Sequence, residues 1–441
     1  MIDTTHIKPE PLITDDAIIF GLLALCLGFI FFTSSIKTGF WKKFYGIVPG
    51  VLMCYLLPAI LASSGIIGHE WETVSESGEI VEHSSNVYYV VSRYLLPAAL
   101  VLMTLSIDLK AIASLGSKAL IMFLTGSIGI IIGGPLAILI VSIFSPETVG
   151  GADFDAVWRG LSTIAGSWIG GSANQAAMLE IFQYNKDKFG AMVLVDIVVA
   201  NIWMAIILLG VGKTKRIDRW LNADASSIEA LKQKVSTFTE KITRVPSLND
   251  YMMLFFFAFT AVGLAHFFGS NISTYLTENF EVVANKKSFL SFLGSGFFWL
   301  VIIATIAGIA LSFTKAKNYE GAGASKLGRM FVYILVATIG IQMDLRQVTE
   351  NPGLLVIGLI WISIHAGLLI LMAKLIRAPY FFLAVGSQAN VGGAASAPVV
   401  AAEFHSSLTS VGVLLAVFGY VVGTGGALLC AYLMEIASAM P

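Results

Sequence analysis

The sequence predicts an all-α polytopic membrane protein of two inverted repeats, each with a glycine-broken helix that is discontinuous or re-entrant. Composition is the first reason: 56% of the 441 residues are hydrophobic and only 12% are charged, whereas a soluble domain has about 25% charged residues. Matching landmarks in the two halves of the chain are the second. The net charge of -1 argues against nucleic acid as a partner, so the expected surroundings are a lipid bilayer.

Twelve apolar segments emerge when the chain is scanned with a window of about 19 residues. The first half contains 17–33, 44–63, 88–106, 117–144, 157–182 and 189–212. The second half contains 249–268, 290–313, 327–343, 352–376, 378–403 and 408–436. Most of them reach the roughly 20 residues that a spanning helix needs. The chain therefore divides into a first membrane repeat at 1–212, a linker at 213–248 and a second membrane repeat at 249–441.

Two glycine-rich motifs occupy the second-last segment of each half. They are Gly166-Ser-Trp-Ile-Gly-Gly-Ser-Ala-Asn174 and Gly386-Ser-Gln-Ala-Asn-Val-Gly-Gly-Ala-Ala-Ser-Ala-Pro398. Glycine pairs beside Ser, Asn and Gln disfavour a continuous helix, so breaks are expected at Gly170, Gly171, Gly392 and Gly393. Matched interruptions in the two halves of a membrane protein are typical of a transporter binding site.

A second landmark supports an internal duplication over a chance match between apolar sequences. The third segment of each half ends similarly, in Ser106-Ile-Asp108-Leu-Lys110 and in Gln342-Met-Asp344-Leu-Arg346. Because Asp108 and Asp344 stand beside basic residues at segment ends, a structural role is favoured for both.

Charges in the loops test the topology, because cytoplasmic loops are rich in Lys and Arg. Lysines after the first segment place that loop inside, and the glutamate-rich loop before Arg93 lies outside, so the N-terminus is expected outside. The basic linker at 213–248 is then cytoplasmic if each broken segment returns to the side that it entered. In the alternative arrangement, each broken segment crosses the membrane fully and another apolar segment of the same half does not cross. Either arrangement inverts one half relative to the other.

The broken segments offer the polar groups that a buried site needs. A break frees backbone groups, so helix N-termini can attract an anion and unwound carbonyls can hold a cation. The polar side chains beside the breaks are Ser167, Ser172, Asn174 and Gln175 in the first motif and Ser387, Gln388, Asn390 and Ser396 in the second. Close helix packing would explain the glycines, but not the polar side chains in each copy.

Asp196 is the most informative single residue, because the apolar run 192–203 around it has no other charge. A carboxylate at the bilayer centre costs at least about 2.5 kcal/mol, so it is expected to face a cation, a proton or water. Asn201 follows five residues later. The alternative is a protonated Asp that hydrogen bonds to a neighbouring helix. The equivalent run 416–420 has no acid, which predicts an asymmetric site.

Other ionisable residues have weaker patterns. Glu180 and Glu403 follow their glycine pairs by about nine residues, which is consistent with either a solvated helix end or a gate. His266 and His365 lie on apolar segments and favour hydrogen-bonded core positions, and His405 is ambiguous. The three cysteines are expected to be core residues rather than a disulfide or a metal site.

Enzyme signatures do not occur in the sequence. It has no Walker A pattern, so ATP-driven pumping is not expected, and no His-Glu-x-x-His motif. Gly170-Gly-Ser172-Ala resembles the nucleophile turn of a membrane serine protease only loosely, because the following glycine and a histidine base are missing. The chain is therefore not expected to be an enzyme.

Both motifs, from Gly166 to Gln175 and from Gly386 to Gly393, resemble those of a bacterial membrane family of unknown function. This family is the YjcL-like proteins (domain of unknown function 819), and the resemblance covers nearly the whole chain. The family is similar in turn to the fold group of bile acid/sodium symporters and cation/proton antiporters. The resemblance implies a core domain, with two broken helices that cross near mid-membrane, sliding against a panel domain.

In the antiporter branch of that group, the helix after the first broken helix carries an ion-binding aspartate, and Asp196 stands in the matching place. This chain has one acid there rather than a pair, and no obvious lysine in its last segment. These departures weaken the implication of proton antiport with fixed charge balance. In that fold the broken segments cross the membrane fully. The loop charges of this chain favour re-entrant segments instead.

The sequence thus predicts a secondary active transporter, coupled to sodium or a proton, for a small neutral or anionic organic solute. The expected ion ligands are Asp196, Asn174, Gln175, Asn390 and Asn201. The expected substrate ligands are Ser167, Ser172, Ser387, Gln388 and Ser396, with the backbone at Gly170, Gly171, Gly392 and Gly393. No cofactor and no metal beyond a transported cation are expected. A homodimer in a bacterial cytoplasmic membrane is predicted, and an antiporter without organic substrate or a passive channel are the alternatives.

Overall fold

The computed structural model describes residues 9–46, 48–74, 80–105, 112–113, 115–224, 228, 244–285, 289–343, 351–405 and 408–439. These residues are mainly helical, so the all-α polytopic class is confirmed. Eight of the described helices are long and apolar enough to cross a membrane, and ten spans result if each of two bent helix pairs is one span. The bent pairs are Gly39–Tyr45 with Gly50–Ser63, at 97°, and Gly296–Ser312 with Lys315–Ala322, at 96°.

The helices of the first half follow the predicted segments. They are α1 (Asp16–Ser35), α2 (Gly39–Tyr45), α3 (Gly50–Ser63), α4 (Val87–Leu105), α5 (Ser117–Ser142), α6 (Val157–Gly170), α7 (Ser172–Phe182) and α8 (Phe189–Val211). A short helix, Pro146–Val149, follows α5, and the linker begins with α9 (Thr214–Leu221). α4 contains a π-turn at Val91–Leu95. Between α3 and α4, the strands β1 (Glu70–Val74) and β2 (Ile80–Ser84) pair antiparallel in a region that the sequence analysis treated as a loop.

The second half repeats this order of helices. They are α10 (Leu248–Asn279), α11 (Gly296–Ser312), α12 (Ala324–Ile341), α13 (Gly353–Leu375), α14 (Tyr380–Val391), α15 (Gly393–Phe404) and α16 (Thr409–Ala439). α10 begins at a capping box, in which the side chains of Ser247 and Asp250 each bond the other's backbone N–H. Such reciprocal bonds satisfy donors that a helix start leaves unpaired.

α6 and α7 fold back on each other as a helical hairpin, hairpin 1, with Gly171 at its tip. Gly171 has a φ of +76°, a left-handed value that favours glycine. The ring centroids of Trp158 and Phe182, near the two ends of the hairpin, are 5.4 Å apart. Arg159 Nη1 also donates to the Phe182 carbonyl oxygen at 2.5 Å. The segment therefore returns to the side of the bundle that it entered.

α14 and α15 form the equivalent hairpin 2, with Gly392 and Gly393 at its tip. The φ of Gly393 is +54°. Phe404, at the end of α15, packs against Tyr380 and Phe381 at the start of α14, with ring centroids 5.8 and 5.4 Å apart. Both broken segments are thus re-entrant, and neither crosses in the way that the resemblance to the bile acid/sodium symporter fold group implied.

The helices pack into two bundles that each draw on both halves of the chain. The scaffold contains α1, α3, α4, α10, α11 and α12, and the hairpin bundle contains α5, α8, α13, α16 and both hairpins. The hairpin bundle is centred on α5 and α13, where glycines of α5 face large side chains. A Cβ added to Gly133 would lie 2.6 Å from the ring of Trp361. Small residues of this kind let membrane helices approach closely.

Two predicted features lie outside the described residues. The similar segment ends at Asp108 and Asp344 fall in 106–111 and 344–350, and most of the linker falls in 225–243. The described start of the linker is α9, where Asp218 accepts a hydrogen bond from the backbone N–H of Tyr380 at 2.7 Å. This part of the linker therefore supports the base of hairpin 2.

Candidate functional site

The tips of the two hairpins meet in one cavity between the scaffold and the hairpin bundle. Its volume is about 370 Å³. The scaffold contributes Tyr55 from α3 and Tyr333 from α12, and α8 contributes Asp196 and Asn201. The hairpin residues in its wall include Ser167, Gly171, Ser172 and Gln175 from hairpin 1 and Gln388, Gly392 and Ser396 from hairpin 2. Residues far apart in the sequence, from both motifs, therefore share a single site.

Asp196 lies in the cavity wall, is only 7% exposed and receives three hydrogen bonds. Ser167 Oγ and Gln175 Nε2 donate to its Oδ2 at 2.7 and 3.0 Å. Trp168 Nε1 donates to its Oδ1 at 2.7 Å. All three donors belong to hairpin 1, so the carboxylate fastens this hairpin to α8. Because a carboxylate has about four acceptor positions, one remains for a cation or a proton.

The scaffold reaches the same site through Tyr55. Its hydroxyl donates to Gln175 Oε1 at 3.2 Å, and the amide nitrogen of Gln175 donates to Asp196. Tyr55 of the scaffold thus orients the Gln175 amide, which contacts Asp196 in the hairpin bundle. Sequence reasoning missed Tyr55, because a tyrosine in an apolar segment looks like an ordinary core residue.

Hairpin 2 makes the corresponding contact with neutral groups. His365 Nδ1 lies 2.9 Å from the Gly126 carbonyl oxygen, which can only accept, so Nδ1 carries a proton. The unprotonated Nε2 accepts from Ser387 Oγ at 2.8 Å, and Ser387 accepts from Trp203 Nε1 at 2.7 Å. This chain is paired at every step without any charge. Ser387 lies in it and not in the cavity wall, so the structure does not place it as a substrate ligand.

Asn174 and Asn390, both predicted ion ligands, brace the hairpins from outside the cavity. Each Nδ2 donates to the backbone carbonyl oxygen four residues earlier, at 2.9 Å. Thr424 Oγ1 donates to Asn174 Oδ1 at 2.5 Å, and Ser127 Oγ donates to Asn390 Oδ1 at 2.7 Å. Gly170 packs here as well, where an added Cβ would lie 2.3 Å from Asn174 Nδ2. Both amides hold helices together, and neither side chain is part of the described cavity wall.

The tip of hairpin 2 has an amide with an unused donor. Ser396 Oγ donates to Gln388 Oε1 at 2.7 Å across the tip. Gln388 is 1% exposed, and its Nε2 has no hydrogen-bond partner in the described part of the chain. Leaving a buried donor unpaired costs about 1–3 kcal/mol. A ligand with an acceptor atom would remove this cost.

The site continues along α12 as a narrow cleft of about 120 Å³. The tips of both hairpins form one wall, and Tyr333 and Arg329 of α12 belong to the other. α7 and α15 begin at this cleft without a side-chain cap, although the Asn174 N–H of α7 donates to the Gly171 carbonyl oxygen at 2.9 Å. The other N–H groups at a helix start have no partner within the helix. Arg329 was not among the predicted site residues. Its position, early in an apolar segment, gives no signal of a site.

Glu180, near the end of hairpin 1, is part of a buried ion cluster and not a solvated helix end. Arg93 Nη1 lies 2.9 Å from its Oε2, and Lys186 Nζ lies 3.1 Å from its Oε1. Tyr88 also donates to this carboxylate. Because Tyr88 and Arg93 belong to α4, the cluster fastens hairpin 1 to the scaffold. Glu403, the corresponding residue of hairpin 2, is exposed.

The membrane region as a whole matches a known protein family. Residues 17–436 match the family described as Protein of unknown function (DUF819). The chain belongs to the DUF819 family. It is also 24% identical over 381 residues to the Uncharacterized membrane protein YjcL of Bacillus subtilis (strain 168), covering 83% of this chain and 88% of that protein. The predicted YjcL-like family and the membrane location are confirmed, and the wider kinship with the symporter and antiporter fold group stays a prediction.

Oxygen atoms at the cavity of this DUF819 protein suit a hard cation better than a chelated transition metal. The described residues include no group of three or more His, Cys, Asp and Glu that could hold a metal ion. Asn201 Nδ2 donates to the Ile197 carbonyl oxygen at 2.7 Å, which leaves its Oδ1 for the cavity. With Asp196 and Ser172, it offers oxygens to a monovalent cation.

Proposed function

We propose that this DUF819 protein is a secondary active transporter, coupled to sodium or a proton, that moves a small organic solute by alternating access. The proposal rests on the shared cavity in which the tips of both hairpins meet Asp196. Broken helices that converge near an intramembrane acid are the usual site in such transporters. A cavity of about 370 Å³ has room for a small solute.

Asp196 supports ion coupling because its carboxylate is buried but incompletely satisfied. Three neutral donors contact it, and no Lys or Arg of the described residues lies among them. A bare carboxylate at this depth is costly, so binding of a cation or a proton favours the state in which water is excluded. This is the physical basis of coupling in the proposal.

The position of the cavity between two bundles supports alternating access. Asp196 moves with the hairpins, whereas Tyr55 and Tyr333 belong to the scaffold. Polar links between the bundles include the Tyr55–Gln175 hydrogen bond at 3.2 Å and the ion pair of Glu180 at 2.9 Å. Rigid-body movement of the hairpin bundle would break these links while the bonds to Asp196 within the bundle persist.

Re-entrant hairpins also support inverted repeats. The spanning elements are α1, α3, α4, α5 and α8 in the first half and α10, α11, α12, α13 and α16 in the second. Five crossings per half is an odd number, so the halves have opposite orientations. With the N-terminus outside and the linker 213–248 cytoplasmic, hairpin 1 opens outwards and hairpin 2 opens to the cytoplasm. A bacterial cytoplasmic membrane and a homodimer belong to the same proposal.

Cation binding to the purified protein tests the role of Asp196 before the solute is identified. We expect sodium chloride, compared with choline chloride, to raise the Tm of the wild-type protein by mass action. Asp196→Asn keeps the shape and removes the charge, so sodium affinity should fall at least about tenfold, or about 1.4 kcal/mol. Asp155→Asn, which alters an acid outside the cavity, is the matched control and should respond like the wild type.

Proton coupling has its own signature in the same experiment. The wild-type Tm would then respond to pH and not to sodium, and Asp196→Asn would lose the part of the pH response that comes from Asp196. Sodium-driven proton movement in liposomes without any solute would favour the antiporter alternative, and non-saturable flux would indicate a channel. Identical sodium and pH responses of the wild type and Asp196→Asn would contradict ion coupling at this residue.

A further inference from the structure

The cleft beside the hairpin tips has one positively charged side chain in its wall, that of Arg329. Arg329 is exposed on the second turn of α12 and also lines a groove of about 440 Å³ against α1. It lies close enough to Tyr333 and Tyr420 to interact with them electrostatically. Among the described residues that line the cavity and the cleft, Asp196 and Arg329 are the only charged ones.

We infer that the transported solute is a small carboxylate and that Arg329 recognises its carboxylate group. This inference rests on the proposed transport function. The guanidinium is planar and presents parallel N–H donors, a geometry that matches the two oxygens of a carboxylate. The ion pairs found among the described residues do not include Arg329.

Several other groups of the site favour an acceptor-rich, negative ligand. Gln388 Nε2 is a buried donor without a partner at the tip of hairpin 2. α7 and α15 point uncapped N-termini at the cleft, and a helix N-terminus has partial positive charge. The guanidinium and the two helix ends therefore face the cleft. The Gln388 amide belongs to the adjoining cavity, whose wall shares Gly171, Ser172, Tyr333 and Gly392 with the cleft.

Counting charges links the solute to the coupling ion. When a cation or a proton neutralises Asp196, Arg329 has the only remaining full charge among the described residues of the wall. A site in that state takes one negative group. Without the cation, the Asp196 carboxylate repels a second carboxylate in the same space, so carboxylate affinity should rise with sodium or with acidification.

Lys326 provides a matched control, because it lies one turn before Arg329 on α12 and is also exposed. It lines the groove between α12 and α1 but is absent from the described wall of the cleft. If the Arg329 guanidinium only extends to the lipid headgroups, replacing either residue should have the same effect on solutes. If Arg329 binds the solute, only its replacement should matter.

The experiment measures Tm of the full-length protein with succinate and lactate, and with the neutral analogues succinamide and lactamide, each with and without sodium. We expect the carboxylates to stabilise the wild type and Lys326→Gln, more strongly with sodium or at acidic pH. Arg329→Gln should bind the carboxylates at least tenfold more weakly while keeping its sodium response. That retained response also shows that the variant is folded.

Each other outcome overturns the inference. Three results would exclude a carboxylate-selective site. The amides could raise Tm as much as the carboxylates do, sulfate and phosphate added as further probes could raise it equally, or no probe could raise it. Equal losses in Arg329→Gln and Lys326→Gln would reduce Arg329 to a surface role. In each of these cases the proposed function would stand if the sodium or pH response of Tm still required Asp196. If that response did not require Asp196, both the proposed function and the role of Arg329 would be refuted.

Discussion

Hairpin 1 and hairpin 2 share one architecture but contact their surroundings with different chemistry. In hairpin 1, Ser167 donates to the carboxylate of Asp196. In hairpin 2, Ser387 donates to the neutral imidazole of His365 and accepts from Trp203. At this position hairpin 1 contacts an incompletely satisfied charge, whereas hairpin 2 contacts neutral groups that are hydrogen bonded to each other. Under the proposed function, hairpin 1 is therefore the hairpin that responds to ions, because it contacts the acid.

The bases of the hairpins differ in the same sense. Glu180 of hairpin 1 is buried between Arg93 and Lys186, whereas Glu403 of hairpin 2 is exposed. Charge therefore secures hairpin 1 to the scaffold at its base and to α8 near its tip. Pairs of matched substitutions, one at each hairpin, test whether the two hairpins differ in this way.

The largest difference is expected between Glu180→Gln and Glu403→Gln. Glu180→Gln leaves Arg93 and Lys186 without their counter-charge, and breaking a buried ion pair costs about 3 kcal/mol. Glu403→Gln alters an exposed residue and should change the free energy of unfolding by less than about 0.5 kcal/mol. Thermal unfolding in detergent measures both. Similar small losses in the two variants would show that the ion cluster does not secure hairpin 1.

A smaller difference is expected between Trp168→Phe and Trp203→Phe, which each remove one indole donor. Trp168 donates to the Asp196 carboxylate and Trp203 to the Ser387 hydroxyl, both at 2.7 Å. A hydrogen bond to a charged group contributes about 2 kcal/mol, against about 1 kcal/mol for a neutral one. Because both variants lose similar volume, the difference in Tm reports the charge on Asp196. Equal destabilisation would mean that Asp196 is neutral in the resting protein.

The smallest effects concern two acids outside the membrane spans. Hydrogen bonds from Lys188 and Asn185 lower the pKa of Asp155, near hairpin 1, below its usual 3.8. The Asp155 carboxylate therefore stabilises the folded protein above about pH 3.8. This stabilisation is lost as the pH falls through the lower pKa of the folded state. Burial raises the pKa of Asp218, beneath hairpin 2, although the Tyr380 N–H opposes this. Its carboxylate therefore lowers stability once the pH rises through the raised folded pKa.

Asp155→Asn and Asp218→Asn should consequently shift Tm with opposite signs. At neutral pH we expect Asp155→Asn to be slightly less stable than the wild type and Asp218→Asn slightly more stable. As the pH falls from about 7 to about 2, the Asp218→Asn difference should shrink first, down to about pH 3.8, and the Asp155→Asn difference should shrink only below that pH. Thermal unfolding across this range measures them, and shifts of the same sign would contradict the assigned environments.

The sequence was sufficient to predict most of the architecture, because long apolar segments and glycine pairs are local signals. The predicted segment 189–212 became Phe189–Val211 and 352–376 became Gly353–Leu375. Loop charges favoured re-entry, and both hairpins are re-entrant. The short strands at Glu70–Val74 and Ile80–Ser84 were missed because their glutamates resemble those of a solvated loop.

The details of the site were harder to predict, since they depend on how distant segments pack. Tyr55 and Arg329 reach the hairpins only because the scaffold lies against them, and nothing local in the sequence indicates this. Asn174 and Asn390 did have a local signal. Each follows a glycine by four residues and donates to that glycine's carbonyl oxygen. A repeated Gly-x-x-x-Asn spacing therefore favours an internal brace over an ion ligand.

Asp196 is the only acid among the described residues that line the cavity, and this has an electrical consequence. If Asp196 alone binds one monovalent cation together with a monocarboxylate, the moving bundle has the same net charge loaded and empty. A potential of 100 mV, worth about 2.3 kcal/mol per elementary charge, would then neither drive nor oppose the cycle. If hairpin 2 also contacted an acid, that acid would bind a second cation, and each transport step would then move an extra positive charge. Uptake through this asymmetric protein would thus follow concentration gradients and be insensitive to voltage.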